Sequence, residues 1–278
     1  MVAERKAGRK VLTSTGGSGD DAQHAFGWRD AMDLVVKWRQ LSEPNDQVVW
    51  VDLLTRKEFE AGFGSHTPIY SGQTKCVRYY MNFERGFSLF KDILIKEGHS
   101  FDASNNPVPL GGDQKRADIA AAKTAEELWQ VIGVDSWAVV HIESCSRAGH
   151  SMEGTRLTLV KLRNQPDAYE FSIRTPVTPP RWQDYDQELS VMWEATMAAL
   201  VDGDLPLVAQ SALRYAYYWY NFMPLARGTA VVGYITLLGL FMAAGMPVTA
   251  SIPKNYQDVL SSMRHRLEAL NGLTAPRI

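Results

Sequence analysis

Three side chains that can do chemistry alternate along one short stretch: His141, Glu143 and Cys145. Residues two apart on a strand point to the same face, so the three could share a surface, with His150 in the loop that follows. Imidazole, carboxylate and thiolate can hold a metal, but the spacing matches no metal signature, and no metal ligands are assigned. Acid–base work by His141 or His150 fits better, with Glu143 orienting the histidine or acting itself. A second constellation lies at 222–230, Phe-Met-Pro-Leu-Ala-Arg-Gly-Thr-Ala, just before a long apolar run. If a helix begins near Gly228 or Thr229, its free amides could hold an anion, and Arg227 would add a charged fork. Ordinary capping, with Arg227 in a structural ion pair, is the competing reading.

Arg174 and Arg181 bracket the proline-rich 175–180 and could neutralise a carboxylate or phosphate together with Arg227. Tyr70 and Gln73 sit in a polar loop that feeds an aromatic segment carrying Arg78 and Glu84. These could line a pocket or belong to a simple turn. Trp182, Tyr185 and Trp193 read as core before pocket wall.

These residues need elements to hold them. Periodicity predicts helices over 27–40, 55–61, 75–97 and 120–131, with a loop at 62–74 and a polar link at 98–118. The period then shortens. Residues 136–144, 155–162 and 168–175 read as a small antiparallel meander. Helices resume at about 183–200, 206–221, 228–244 and 254–270; the last puts Tyr256, Val259, Leu260, Met263, Leu267 and Leu270 on one face. No repeat of fixed period is present. The expected organisation is a flexible N-terminal segment, 1–25, and a single mainly helical α+β domain, 26–278.

Composition bounds the function. The chain has 278 residues, 45% hydrophobic, and a net charge of −2, so a strongly basic or wholly disordered protein is excluded. Basic and aromatic residues do not interleave in a way specific for nucleic acid. Two cysteines make no disulfide scaffold. The N-terminus lacks the apolar core of a secretory signal. The charge-free stretch 229–248 approaches spanning length but is stopped by Gly245 and Pro247, so a buried central helix is expected, with no membrane partner and a cytoplasmic location.

The segment 222–260 resembles the motif region of the Fic/Doc, or Fido, superfamily: Pro224, Leu225 and Gly228 follow the loop pattern, and Ala244-Gly245 and Pro247 follow its helix end. The resemblance implies a Fido-like core and a bacterial transferase acting on an anionic or nucleotide-derived substrate. Met223 stands at the family's catalytic histidine, Arg227 at its metal-binding acid and Val231 at its phosphate-binding arginine. Those departures suit other chemistry, such as elimination or condensation in natural-product biosynthesis, or a catalytically inactive ligand- or protein-binding domain. The cofactor is left unassigned, a nucleotide fitting better than a divalent metal, and homo-oligomerisation stays open. Residues 174–182 and 219–245 also resemble an uncharacterised C-terminal domain of eukaryotic tetratricopeptide-repeat proteins, which implies no known chemistry.

Overall fold

In the computed structural model the described residues are 26–45, 48–55, 57–58, 66–72, 74–75, 83–163, 165, 167–174 and 181–247; side chains of 66–72, 74–75 and 174 are outside the description. Among these residues there are seven α-helices: α1 (Trp28–Ser42), α2 (Phe83–Glu97), α3 (Asp113–Ala121), α4 (Ala125–Ile132), α5 (Trp182–Asp202), α6 (Leu205–Phe222) and α7 (Thr229–Ala243). The strands are β1 (His66–Gly72), β2 (Thr74–Lys75), β3 (His99–Phe101), β4 (Pro107–Pro109), β5 (Ser136–Glu143), β6 (Ser151–Lys161) and β7 (Tyr169–Arg174). The chain is α+β and mainly helical, as its periodicities predict.

The sheet is larger than the expected meander. It has seven strands in the order β2-β1-β7-β6-β5-β3-β4, every pairing antiparallel. Two pieces read as loop supply the extra strands. The predicted loop 62–74 contains β1, which pairs along β7 with a register shift at Pro68–Tyr70. A proline cannot donate to a ladder, and an irregular register is where one is tolerated. The predicted link 98–118 contains the β3–β4 hairpin and most of α3. Pro107 and Pro109 fall on the outermost strand, where missing donors cost least. The Asp102 carboxylate turns that hairpin by accepting from the amides of Ser104 and Asn106 at 2.8 and 2.9 Å. The helix expected from residue 75 begins at Phe83 among the described residues.

The helices obey local rules. Thr124 caps α4 by accepting from the Glu127 amide, and Gly133 ends it at φ 89°. Asp204 caps α6 in the same way, through the Leu207 amide. Thr55 and Glu58 form the reciprocal bonds of a helix start at 55–61, most of which lies outside the described residues. The expected segments 1–25 and 254–270 also lie outside them.

Two cores result. On one side, Phe83, Phe87, Phe90 and Leu94 of α2 pack with α3 and α4 onto Leu157, Leu159, Tyr169 and Phe171 of the sheet. The other joins α1, α5, α6 and α7 to the end of the β5–β6 hairpin through Ile142 and Met152. Val140 packs against both. The second core centres on Trp28, Trp50 and Trp219, with ring centroids 5.7 to 6.4 Å apart. Trp182 packs on Trp28 and Trp50, each 6.1 Å away, and the indole nitrogens of Trp28 and Trp50 donate to Asp186 and Asp33. Burying an indole requires such partners for its N–H. Helix α7 is the expected buried central helix: Val232, Leu237 and Leu240 are in this core, and Val231 is buried as well. Gly233 lets α6 and α7 approach; a Cβ there would stand 2.5 Å from Cδ1 of Trp219. No helix among the described residues is long and apolar enough to cross a membrane.

Candidate functional site

The β5–β6 hairpin reaches over the N-terminal half of α5, and two buried carboxylates anchor the junction. Glu188 is fully buried on the core face of α5, between Tyr185 and Leu189. Its Oε1 accepts from the hydroxyls of Ser144 and Ser146, each at 2.5 Å, and its Oε2 accepts from the amide of Cys145 at 2.6 Å. The Ser146 amide adds a longer bond at 3.3 Å. Burial alone would raise the carboxyl pKa; the donors at Cys145, Ser144 and Ser146 outweigh it and hold the group below its usual range. The same contact pushes the Cys145 thiol up to about 12, first through burial and then through Glu188. A thiol in that state is a poor nucleophile.

Glu153 is the second anchor, 7% exposed. The register of β5 and β6 shifts between Val139 and His141, so Gly154 and Thr155 of β6 stand opposite the single residue Val140. A Cβ on Gly154 would sit 2.8 Å from the Val140 carbonyl oxygen, so the bulge takes glycine. The bulge brings Glu153 and Arg156 together, and their side chains form an ion pair. Arg156 also stacks over Trp137 at 4.0 Å. The other Glu153 oxygen receives Arg181 at 2.7 Å. Tyr185 donates its hydroxyl to the Glu153 carbonyl at 3.2 Å, and burial raises its pKa well above the usual value.

Between these groups lies a cavity of about 180 Å³ lined by His150, Ser151, Met152, Glu153, Arg181, Asp184 and Tyr185. Arg147 borders it, pairing with Asp184 at 2.9 Å, while its Nε is buried with no hydrogen-bond partner. Among the described residues Arg181 is the one guanidinium in that lining; Arg147 and Arg156 reach Asp184 and Glu153 from its margin. A wider depression of about 490 Å³ is lined by Trp129, Asp135, Lys161 and Arg163, and one Asp135 oxygen accepts from the Trp129 indole and the Lys161 amide.

Of the residues singled out by sequence, the cavity gathers His150 and Arg181. His141 is exposed on β5 opposite Glu153, and Glu143 is exposed opposite Ser151, its carbonyl accepting from Tyr218 at 2.7 Å. Neither lines the cavity. Glu84 is exposed in the first turn of α2. Tyr70 lies on β1 opposite Phe171, and Arg174 on β7 opposite Arg156, their side chains undescribed. Gln73 and Arg78 lie outside the described residues.

The entry to α7 is built for support. The Ala226 amide donates to the Val49 carbonyl and the Val51 amide to the Pro224 carbonyl, stitching this loop to 49–51. Thr229 is buried and gives its hydroxyl to the Leu225 carbonyl at 3.1 Å. Gly228 is left-handed at φ 81°, and a Cβ there would be 3.3 Å from Val48. Arg227 is exposed and has no ion-pair partner among the described residues.

Sequence reasoning missed Glu153, Arg156, Arg147, Asp184 and Glu188. Two signals were available. Glu188 interrupts the apolar face formed by Tyr185, Leu189, Met192 and Thr196, and Gly154 interrupts a strand pattern. Among the described residues no group of three or more His, Cys, Asp or Glu could hold a metal.

With this geometry established, known proteins add a context. No established protein-family profile matches the chain. It is similar to parts of two longer eukaryotic proteins. One is Suppressor of RPS4-RLD 1 from Arabidopsis thaliana, 41% identical over 264 residues, which is 92% of this chain and 24% of that protein. The other is human Tetratricopeptide repeat protein 13, 30% identical over 244 residues, 82% of this chain and 27% of that protein. The chain spans about a quarter of the length of the curated relatives it matches. The second similarity agrees with the resemblance to a domain of tetratricopeptide-repeat proteins. Both overturn the expectation of a bacterial, Fic-like protein, because the matching proteins are plant and human and neither is a Fic transferase. The local loop pattern at 224–228 arises instead from packing: a glycine at positive φ opens a helix whose start is pinned to 49–51.

Proposed function

We propose that the chain is a non-catalytic binding domain of a longer-protein type, which recognises one anionic group in the cleft between the β5–β6 hairpin and α5. One observation carries the reading: the cavity presents Arg181 and His150 as donors while the Glu153 carboxylate, the Cys145 thiol and the Tyr185 phenol around it are already committed. Both oxygens of Glu153 are held by arginines, the Cys145 thiol is protonated, and the Tyr185 hydroxyl is committed to a carbonyl. Binding an anion needs only the remaining donors of Arg181, Arg147 and His150. Catalysis would need a poised base or nucleophile. At about 180 Å³ the cavity is smaller than the roughly 300–1,000 Å³ of ligand pockets, so it suits a carboxylate or phosphate group of a larger partner and excludes a whole nucleotide.

The relatives support a modular role. A tetratricopeptide repeat is a helix–turn–helix unit of about 34 residues. This chain instead carries a seven-stranded sheet and no fixed repeat, so it would be a separate module beside such repeats. Calorimetric titration with inorganic phosphate and with phosphoserine tests the reading. One site per chain is expected, weakened tenfold or more in R181Q and unchanged in R227A. Equal loss in R227A, or no loss in R181Q, would return the anion site to the α7 entry or abolish it.

A further inference from the structure

The cavity between the β5–β6 hairpin and α5 carries both signs of charge. Among the described residues its lining holds the Arg181 guanidinium and two carboxylates, Glu153 and Asp184. The two carboxylates differ in how far they are neutralised. Glu153 is held on both oxygens, by Arg156 and by Arg181. Asp184 is held on one: its Oδ1 accepts from Arg147 at 2.9 Å, and its Oδ2 has no partner among the described residues. The Asp184 side chain is 47% exposed, so the carboxylate is open to a ligand.

The same lining holds open donors. Arg181 gives one nitrogen to Glu153 and keeps its remaining N–H groups, and the His150 ring and the Ser151 hydroxyl are exposed. Met152 and Tyr185, both buried, add apolar surface. Arg181 caps α5 and Asp184 lies in its first turn. Residues three apart are neighbours on a helix surface, with Cβ atoms about 5–6 Å from each other. An anion seated on Arg181 therefore lies close to the Asp184 carboxylate and is repelled by it. An ammonium on the same ligand converts that repulsion into attraction.

We propose, resting on the anion site above, that the recognised group is zwitterionic. Its anion sits on Arg181 and His150, its ammonium a few bonds away meets Oδ2 of Asp184, and the linking carbons lie against Met152 and Tyr185. A simple phosphate uses only half of these partners.

Calorimetric titration of the full chain at constant ionic strength tests it with O-phosphoethanolamine and ethyl phosphate, which differ by the ammonium. Wild-type protein should bind phosphoethanolamine at least tenfold more tightly, and D184N should bring the two affinities within threefold. Asp184 is half-exposed, so the fold should survive, and D184S, which removes the same carboxylate, should repeat the result. β-Alanine against propionate makes the comparison on a carboxylate. A tenfold preference in either pair supports the zwitterion and names the anion it carries. Equal affinities within both pairs would overturn the proposal and leave the anion site standing. So would a preference that D184N and D184S both retain. Wild-type protein that binds none of the four compounds would overturn the anion site as well.

Discussion

Replacing Glu188 examines how the cleft is held in shape. The carboxylate takes four hydrogen bonds from three consecutive residues, 144–146, and is itself fully buried. Hydrogen bonds to a charged group contribute about 1.5–3 kcal/mol each, but those sharing one acceptor do not add. Residues 144–146 are also half-exposed, so water would replace part of the loss in E188A. The expected cost of E188A is about 3–4 kcal/mol. In E188Q the amide oxygen can still serve the two backbone amides, while its NH₂ can donate to the serine hydroxyls once these rotate to accept. That variant should lose only about 1–2 kcal/mol, the part that depends on charge. Because the folded carboxyl is held below its ordinary 4.5, the wild-type advantage over E188Q should be constant above pH 5 and shrink as pH falls through the folded value. Urea unfolding followed by tryptophan fluorescence measures both effects, with eight tryptophans reporting. An E188A cost under about 1 kcal/mol, or an E188Q gap of the same size at pH 7 and pH 3, would refute the reasoning.

Other perturbations separate support from recognition. G154A should cost about 1–3 kcal/mol in urea unfolding, because its Cβ would press on the Val140 carbonyl from 2.8 Å. G233A should cost at least as much, since the new methyl would enter the Trp219 ring; a smaller loss would mean α6 and α7 can separate freely. In a C76S background, Cys145 should resist iodoacetamide at pH 8 over hours, consistent with a pKa near 12, and rapid labelling would show that the Glu188 contact opens. R227A should shift stability by less than about 0.5 kcal/mol, as expected for an exposed residue without an ion-pair partner among the described residues.

The sequence was most legible where one period ran long. The boundaries of α5, α6 and α7 fall within a few residues of those expected, since each has a clear start or stop: Gly203 and Asp204 divide the first two, and Gly228 opens the third. Short edge strands were not legible. Residues 66–72 and 107–109 carry prolines and polar residues that read as loop, and become strands only because β7 and β3 supply partners. The site was half legible for a related reason. Histidines and arginines attract notice by type, yet His141 and Glu143 are exposed outside the cavity lining while Glu153 is buried in it and Glu188 is buried beneath residues 144–146. What brings Glu153, Arg156, Arg181 and Asp184 together is a bulge and a hairpin closing on a helix about 30 residues away in sequence. No local pattern encodes that meeting.

The central claim is the place where an anion binds. Soaking or co-crystallising the protein with tungstate and locating the metal by anomalous scattering tests it most directly. The account predicts one strong peak in the cleft, within hydrogen-bonding reach of Arg181 and of Arg147 or His150. A peak at the start of α7 beside Arg227, or none in the cleft at concentrations that saturate the calorimetric signal, would contradict it.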